Sequence, residues 1–225
     1  MTLGPLAALG LEHPAIAVAF LDAPPAGLPR EESPALSGCT FWKRAAEEQR
    51  AFYTLAEDHL GCPIGAHTHN AQVPDERKAE LQEMVGTMLD LEYLREQEVG
   101  EIPRRSAPLD AVAYSPLADA SFTPDVVLVR GDTRQLMLLY EATQAAGVGG
   151  DTLAMGRPTC AMIPHTLNSG RATFSFGCIG NRVYTGLGDG EMYAALPGGS
   201  VDAVLERLTT VLNANAALET FHRSR

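Results

Sequence analysis

Short apolar strands alternating with amphipathic helices predict a mixed helix-and-sheet fold, α/β or α+β. The chain is expected to form a single domain over 1–225, built of two related strand/helix halves and closed by a C-terminal amphipathic helix. Three observations carry this reading. Apolar runs such as Ala15–Leu21 are too short for helices, apolar residues recur at helical spacing after Asp75 and after Ser200, and the sequence resembles itself at an offset of 121 residues.

The elements follow in order. Ala15–Leu21 lies between Pro14 and the pair Pro24-Pro25, which suits a buried strand. Trp42, Ala45, Ala46, Phe52, Ala56 and Leu60 fit one long helix, but the counterpart segment in the second half argues for a helix ending near Arg50 and a strand after it. From Asp75 to about Glu98, Leu81, Met84, Val85 and Met88 fall at i, i+3, i+4 and i+7, with Asp75 as N-cap and Gly100 as stop. Pro103, Pro108, Pro116 and Pro124 mark a connector with a short strand at Ala111–Tyr114. Val126–Val129 reads as a strand. Asp132 and Gln135 have capping-box spacing ahead of Leu136, Leu139, Tyr140 and Thr143, and Gly147, Gly149 and Gly150 end that helix. Ala172–Phe176 alternates, with Ala172, Phe174 and Phe176 on one face and two hydroxyls on the other, as in a half-buried strand. Ser200 caps a last helix over 200–221, whose Val201, Val204, Leu205, Leu208, Val211 and Leu212 form one stripe.

Composition bounds the function. The 225 residues are 45% hydrophobic and 20% charged, enough for a sizeable core and too apolar for disorder. The net charge of −11, with no basic run, makes nucleic acid an unlikely partner. No apolar run approaches a bilayer-spanning length, and Met1–Leu11 lacks the basic start and long apolar stretch of an export signal, so the expectation is a cytoplasmic protein without membrane contact. In that compartment four cysteines point to thiols or metal ligands before disulfides.

The self-similarity superposes Cys39 on Cys160, Arg50 on Arg171, Ala51 on Ala172, and Tyr53-Thr54 on Phe174-Ser175. The match then slips by five residues, after which Gly61-Cys62 through Gly65 resembles Gly177-Cys178 through Gly180. The halves run over approximately 13–100 and 111–197, and all four cysteines occupy equivalent places in them.

No C-x-x-C is present, so any shared site must be assembled by folding. Cys39, Cys62, Cys160 and Cys178 are the candidate metal ligands, for an iron-sulfur cluster or zinc, with buried inert cysteines and a reactive thiol as the rival readings. Gly177 and Gly180 let the chain turn tightly and a cofactor approach closely. Cys178, Arg182 and Glu191 are the candidate catalytic residues. A guanidinium four residues after Cys178 would lower its pKa or fork onto an anionic ligand, and Glu191 sits in a glycine-rich turn either as an acid/base group or as part of a solvated loop. The alternative metal set is His59, Cys62, His67 and His69, with His67 and His69 sharing one face if that segment is extended.

Tyr114-Ser-Pro-Leu117, Pro124 through Leu128, Gln135-Leu-Met137, Cys160-Ala-x-Ile-Pro164, Gly170 through Ser175, Gly177-Cys-x-Gly-x-Arg182 and Glu191 through Pro197 together resemble domain-of-unknown-function family 169, the ArCR group. The resemblance runs from about 13 to 212 and is most specific over Cys160–Arg182. It implies a stand-alone prokaryotic cytosolic protein and marks the four cysteines as motif positions, but brings no activity with it. His67-Thr-His69 departs from the family pattern. The expectation is an enzyme of redox or lyase type acting on a small-molecule ligand, anionic if Arg182 anchors it. The alternative is a non-catalytic ligand- or metal-binding sensor. The oligomeric state is left open.

Overall fold

The computed structural model describes residues 3–150 and 157–225. Six strands form one antiparallel sheet: β1 (Ile16–Leu21), β2 (Phe52–Leu55), β3 (Ala111–Pro116), β4 (Val126–Asp132), β5 (Thr173–Ser175) and β6 (Glu191–Pro197), in the order β2-β3-β1-β4-β6-β5. Because every pairing is antiparallel, the fold is α+β. The helices are α1 (Gly4–Ala8), α2 (Cys39–Glu47), α3 (Pro63–His69), α4 (Asp75–Asp90), α5 (Glu96–Val99), α6 (Thr133–Ala145), α7 (Met162–Ser169), α8 (Ile179–Thr185) and α9 (Val201–Arg223).

The pleat sorts the core into two layers. Ile16, Val18, Val126, Leu128, Tyr193 and Ala195 face Phe41 and Trp42 of α2 and Met162 and Ile163 of α7. Ala17, Val127, Val129, Ala194 and Leu196 face Leu6 of α1, Leu136 and Leu139 of α6, and Val204, Leu205 and Leu208 of α9. The sheet is therefore covered on both sides.

The strand order reads alike from either edge. β2 and β5 are the edges, β3 and β6 come next and each runs into a 3-10 turn (Leu117–Asp119, Gly198–Ser200), and β1 and β4 meet in the middle. Arg50 and Arg171 each stand two residues before an edge strand. Isolated parallel bridges tie Arg30 to Tyr53 and Gly149 to Ala172. The five-residue slip of the sequence match falls where the first half carries the turn Ala56–His59 and Leu60, for which the second half has no counterpart. The central pairing is short, Ile16, Ala17 and Val18 against Leu128, Val127 and Val126.

Several expectations need correction. The helix after Asp75 breaks at Asp90: Glu92 takes a positive φ of 51°, and α5 starts afresh. Asp75 lies in the first turn behind Pro74 as N-cap, and Leu81 alone of the expected stripe is buried, because α4 lies on the outside of the molecule. The hydroxyl face of β5 is buried under α7. Thr173 Oγ1 sits 2.9 Å from both Thr166 Oγ1 and His165 Nδ1, while Phe176, expected on the apolar face, is 53% exposed beyond the strand end. Ser200 is the N-cap residue of α9 but makes no side-chain cap bond, and Val211 and Leu212 are only partly buried. The capping box of α6 is present: Asp132 Oδ1 accepts from Gln135 N at 2.7 Å, and Gln135 Oε1 from Asp132 N at 2.8 Å. No described helix is long and apolar enough to cross a membrane.

Candidate functional site

Four helical segments begin on the same side of the sheet, and a cysteine stands at or next to the start of each. Cys39 opens α2, and its thiol lies 2.9 Å from Ser37 Oγ. Cys62 is the N-cap of α3, where Pro63 needs no hydrogen-bond partner at the first position. Cys160 lies in the 3-10 turn Thr159–Ala161 that leads into α7. Cys178 is the N-cap of α8, its sulfur accepting from Asn181 N at 3.5 Å. The Cys178 amide donates to Thr159 Oγ1, which fastens the Cys178 turn to the Cys160 turn. Gly177 has a φ of +84°, and a Cβ there would come within 2.5 Å of Leu187 Cδ2, so this turn requires glycine.

All four cysteines, together with Gly180, line one cavity of about 680 Å³. Cys39 and Cys62 come from the chain before β3, and Cys160 and Cys178 from the chain after α6. Burial pushes the Cys39 thiol up to about 11, against the Ser37 hydroxyl, and nearby Cys178 and Cys62 add to the rise. Cys160 is raised well above the ordinary thiol range by burial, with Cys62, Cys178 and Cys39 contributing. Cys62 is raised by burial against the backbone N–H groups of Gly65 and Ile64. A raised thiol pKa disfavours the thiolate and so weakens the reactive-thiol reading for these three.

The outer wall comes from the end of α4, α5 and the chain after it, with Met88, Leu91, Tyr93, Leu94 and Ile102 facing inward. Glu98 of this wall meets Arg157 across the mouth at 3.2 Å, and the Arg157 guanidinium lies 5.1 Å over the Tyr93 ring. Deeper in, His69 and Asn181 line the cavity.

Other expected site residues lie elsewhere. Arg182 does not line the cavity, since its guanidinium donates to the carbonyls of Phe176, at 2.6 Å, and Gly188, at 2.9 Å. It shapes the turn after α8 and leaves no fork for an anionic ligand. Glu191 also lies outside. Its carboxylate takes Arg130 Nη2 at 2.6 Å, Arg130 Nε at 3.0 Å and the Gly188 amide at 2.7 Å. Gly177 shapes the Cys178 turn without lining the cavity. The set His59, Cys62, His67 and His69 loses its premise because 67–69 is helical, so His67 and His69 point in different directions. His59 instead lies under α2, with Nε2 2.8 Å from Thr54 Oγ1. Among the described residues, no group of three or more His, Cys, Asp or Glu side chains is arranged to hold a metal ion as the side chains stand.

Sequence reasoning placed Met88 on a helix but missed the outer wall it belongs to, and missed Arg157 and Asn181. The one signal available for Asn181 was its position three residues after Cys178, where an N-cap's partner stands.

The Arg130–Glu191 pair has a measurable consequence. Arg130 holds the Glu191 carboxyl below its usual 4.5. A group whose folded pKa is depressed stabilises the protein above its unfolded pKa, and that contribution is lost as pH falls through the folded value. Glu191→Gln is therefore expected to lower stability at pH 7 and to flatten the loss of stability below about pH 4.5. Urea titrations across pH 3–7 check this, and an unchanged acid slope would remove Glu191 from the acid response.

The description "uncharacterised ArCR" belongs to the family, DUF169, whose pattern the sequence matches over residues 6–207. No curated protein and no solved structure matches the chain.

Proposed function

The chain belongs to the uncharacterised ArCR family, and from that premise, which brings no activity with it, we propose that the cavity holds an iron-sulfur cluster on Cys39, Cys62, Cys160 and Cys178 and that the protein is an oxidoreductase. The observation that carries the reading is the convergence of every cysteine in the chain on one cavity, two from each half, which we read as copies of one duplicated unit. A four-iron cluster would place a separate iron beneath each thiolate, so its ligands would stand further apart than those of one ion. Zinc, held by the same thiolates, is the alternative occupant. Backbone N–H groups directed at the sulfurs of Cys62 and Cys178 are the contacts that tune such clusters. The raised thiol pKa values describe the metal-free chain, and iron inverts them by binding the deprotonated sulfur.

Four thiols also choose between the two reaction types. With all irons of a four-iron cluster ligated by protein, none is open to polarise a substrate, so one-electron transfer is favoured over lyase chemistry. The remaining cavity, between Tyr93, Tyr184 and the outer wall, is the place for the reaction partner.

The test is iron and acid-labile sulfide analysis of protein purified without oxygen, together with its visible spectrum. A brown protein with iron and sulfide in equal amounts is expected. A colourless protein, with four titratable thiols or a single zinc, would overturn the cluster.

A further inference from the structure

Two polar side chains lining the cavity carry buried atoms without a hydrogen-bond partner. His69 is 1% exposed and Asn181 3%. His69 Nε2 and both amide atoms of Asn181 make no hydrogen bond at normal geometry, although the amide lies close enough to the Cys39 thiol to lower its pKa slightly. Buried polar atoms are almost always matched, so this end of the cavity is suited to hydrogen bonds from a bound molecule.

The chemistry of the missing partner can be read from the tautomer. His69 Nδ1 lies 3.0 Å from the Gly65 carbonyl, which only accepts, so Nδ1 carries the proton. The neighbouring Thr68 hydroxyl spends its own proton on the same carbonyl, at 3.0 Å. His69 Nε2 is left as a bare acceptor, and burial keeps the ring neutral by lowering its pKa to about 4. The partner of His69 must therefore donate. Asn181 offers one donor and one acceptor beside it in the same cavity.

Charge narrows the class further. Arg157 is the one cation among the described residues lining the cavity, and it is already paired with Glu98, while Glu101 adds a second carboxylate to the wall. An anion would find no unpaired cation among the described lining residues and would present a lone pair to His69 Nε2. Apart from the thiols and the hydroxyls of Ser37, Tyr93, Thr159 and Tyr184, the lining is mostly apolar, including Met88, Leu94, Ile102 and Ile179.

We infer that the cavity binds an uncharged, largely apolar organic molecule whose hydroxyl or N–H group donates to His69 Nε2 and whose oxygen or nitrogen meets the Asn181 amide. This deepens the oxidoreductase reading and rests on it for what occupies the thiol end of the cavity.

Three probes of similar size separate the possibilities: benzyl alcohol, toluene and benzoate. They are titrated into the full chain, purified without oxygen, by calorimetry and by ligand-observed NMR, with iron measured on the same samples. Benzyl alcohol is expected to bind about five- to tenfold more tightly than toluene, the ratio one satisfied buried hydrogen bond supports, and benzoate more weakly than both. His69→Phe and Asn181→Leu should bring benzyl alcohol to the level of toluene while leaving toluene binding in place, which also shows that the variants fold. Equal binding of toluene and benzyl alcohol, preference for benzoate, or no binding of any probe would each overturn the inference. Iron-free protein that still prefers benzyl alcohol would sink the cluster alone, and iron-loaded protein without the preference would sink the inference alone.

Discussion

Cys178→Ser is expected to yield a colourless protein with less than a tenth of the wild-type iron and no activity dependent on it, while its circular dichroism stays that of the parent. Loss of one ligand removes a soft thiolate that a serine hydroxyl replaces poorly. The fold should survive because Cys178 is only partly buried and contributes little to the core. The melting midpoint of the variant should equal that of wild-type protein stripped of iron, since both lack the same bonds. Iron-loading in Cys178→Ser equal to that of the parent, with only a small loss of stability, would identify the cysteine as inert packing.

Leu205→Asp should show the largest effect on folding. Leu205 is 3% exposed on α9 and belongs to the core layer shared with Leu136 and Leu139 of α6. A carboxylate there has no partner, and burying it costs about 3–5 kcal/mol, enough to unfold much of a marginally stable domain. Glu206→Ala, on the exposed side of the same helix, should stay within about 0.5 kcal/mol of the parent. Urea denaturation monitored by circular dichroism compares the two. An unchanged midpoint for Leu205→Asp would mean that α9 stands free of the core.

The parts of this architecture that were legible in the sequence are those specified locally. The Asp132–Gln135 capping box, the β-branched run Val126–Val129 and the stripe Val201–Leu208 each depend on neighbours within one or two turns, and each forms as read. The four cysteines line one cavity, a placement made by the fold, since their sequence spacings hold no local ligand motif. What was illegible depends on partners distant in sequence. Arg182 has the spacing of a ligand-binding residue, but which carbonyls it meets is decided by the fold of the turn at 186–188. Glu191 looks like a loop carboxylate until Arg130, from the neighbouring strand β4, is brought beside it. Thr173 and Ser175 alternate as on a half-exposed strand, but α7 covers the face where they point, and hydroxyl–hydroxyl bonding makes that burial tolerable.

The short central pairing sets two three-strand groups, β2-β3-β1 and β4-β6-β5, side by side in the sheet. Within the groups, β1 pairs with β3 and β4 with β6 along six and seven residues, whereas β1 and β4 share three. A cluster bonded to Cys39 and Cys62 on one side and to Cys160 and Cys178 on the other would act as a rivet across that join. It would close a chain loop containing the 97 residues between Cys62 and Cys160 and so remove freedom from the unfolded chain as well as binding the folded one. Iron content would then set how firmly the two strand groups are held together, readable as a difference in melting midpoint between iron-loaded and iron-free protein.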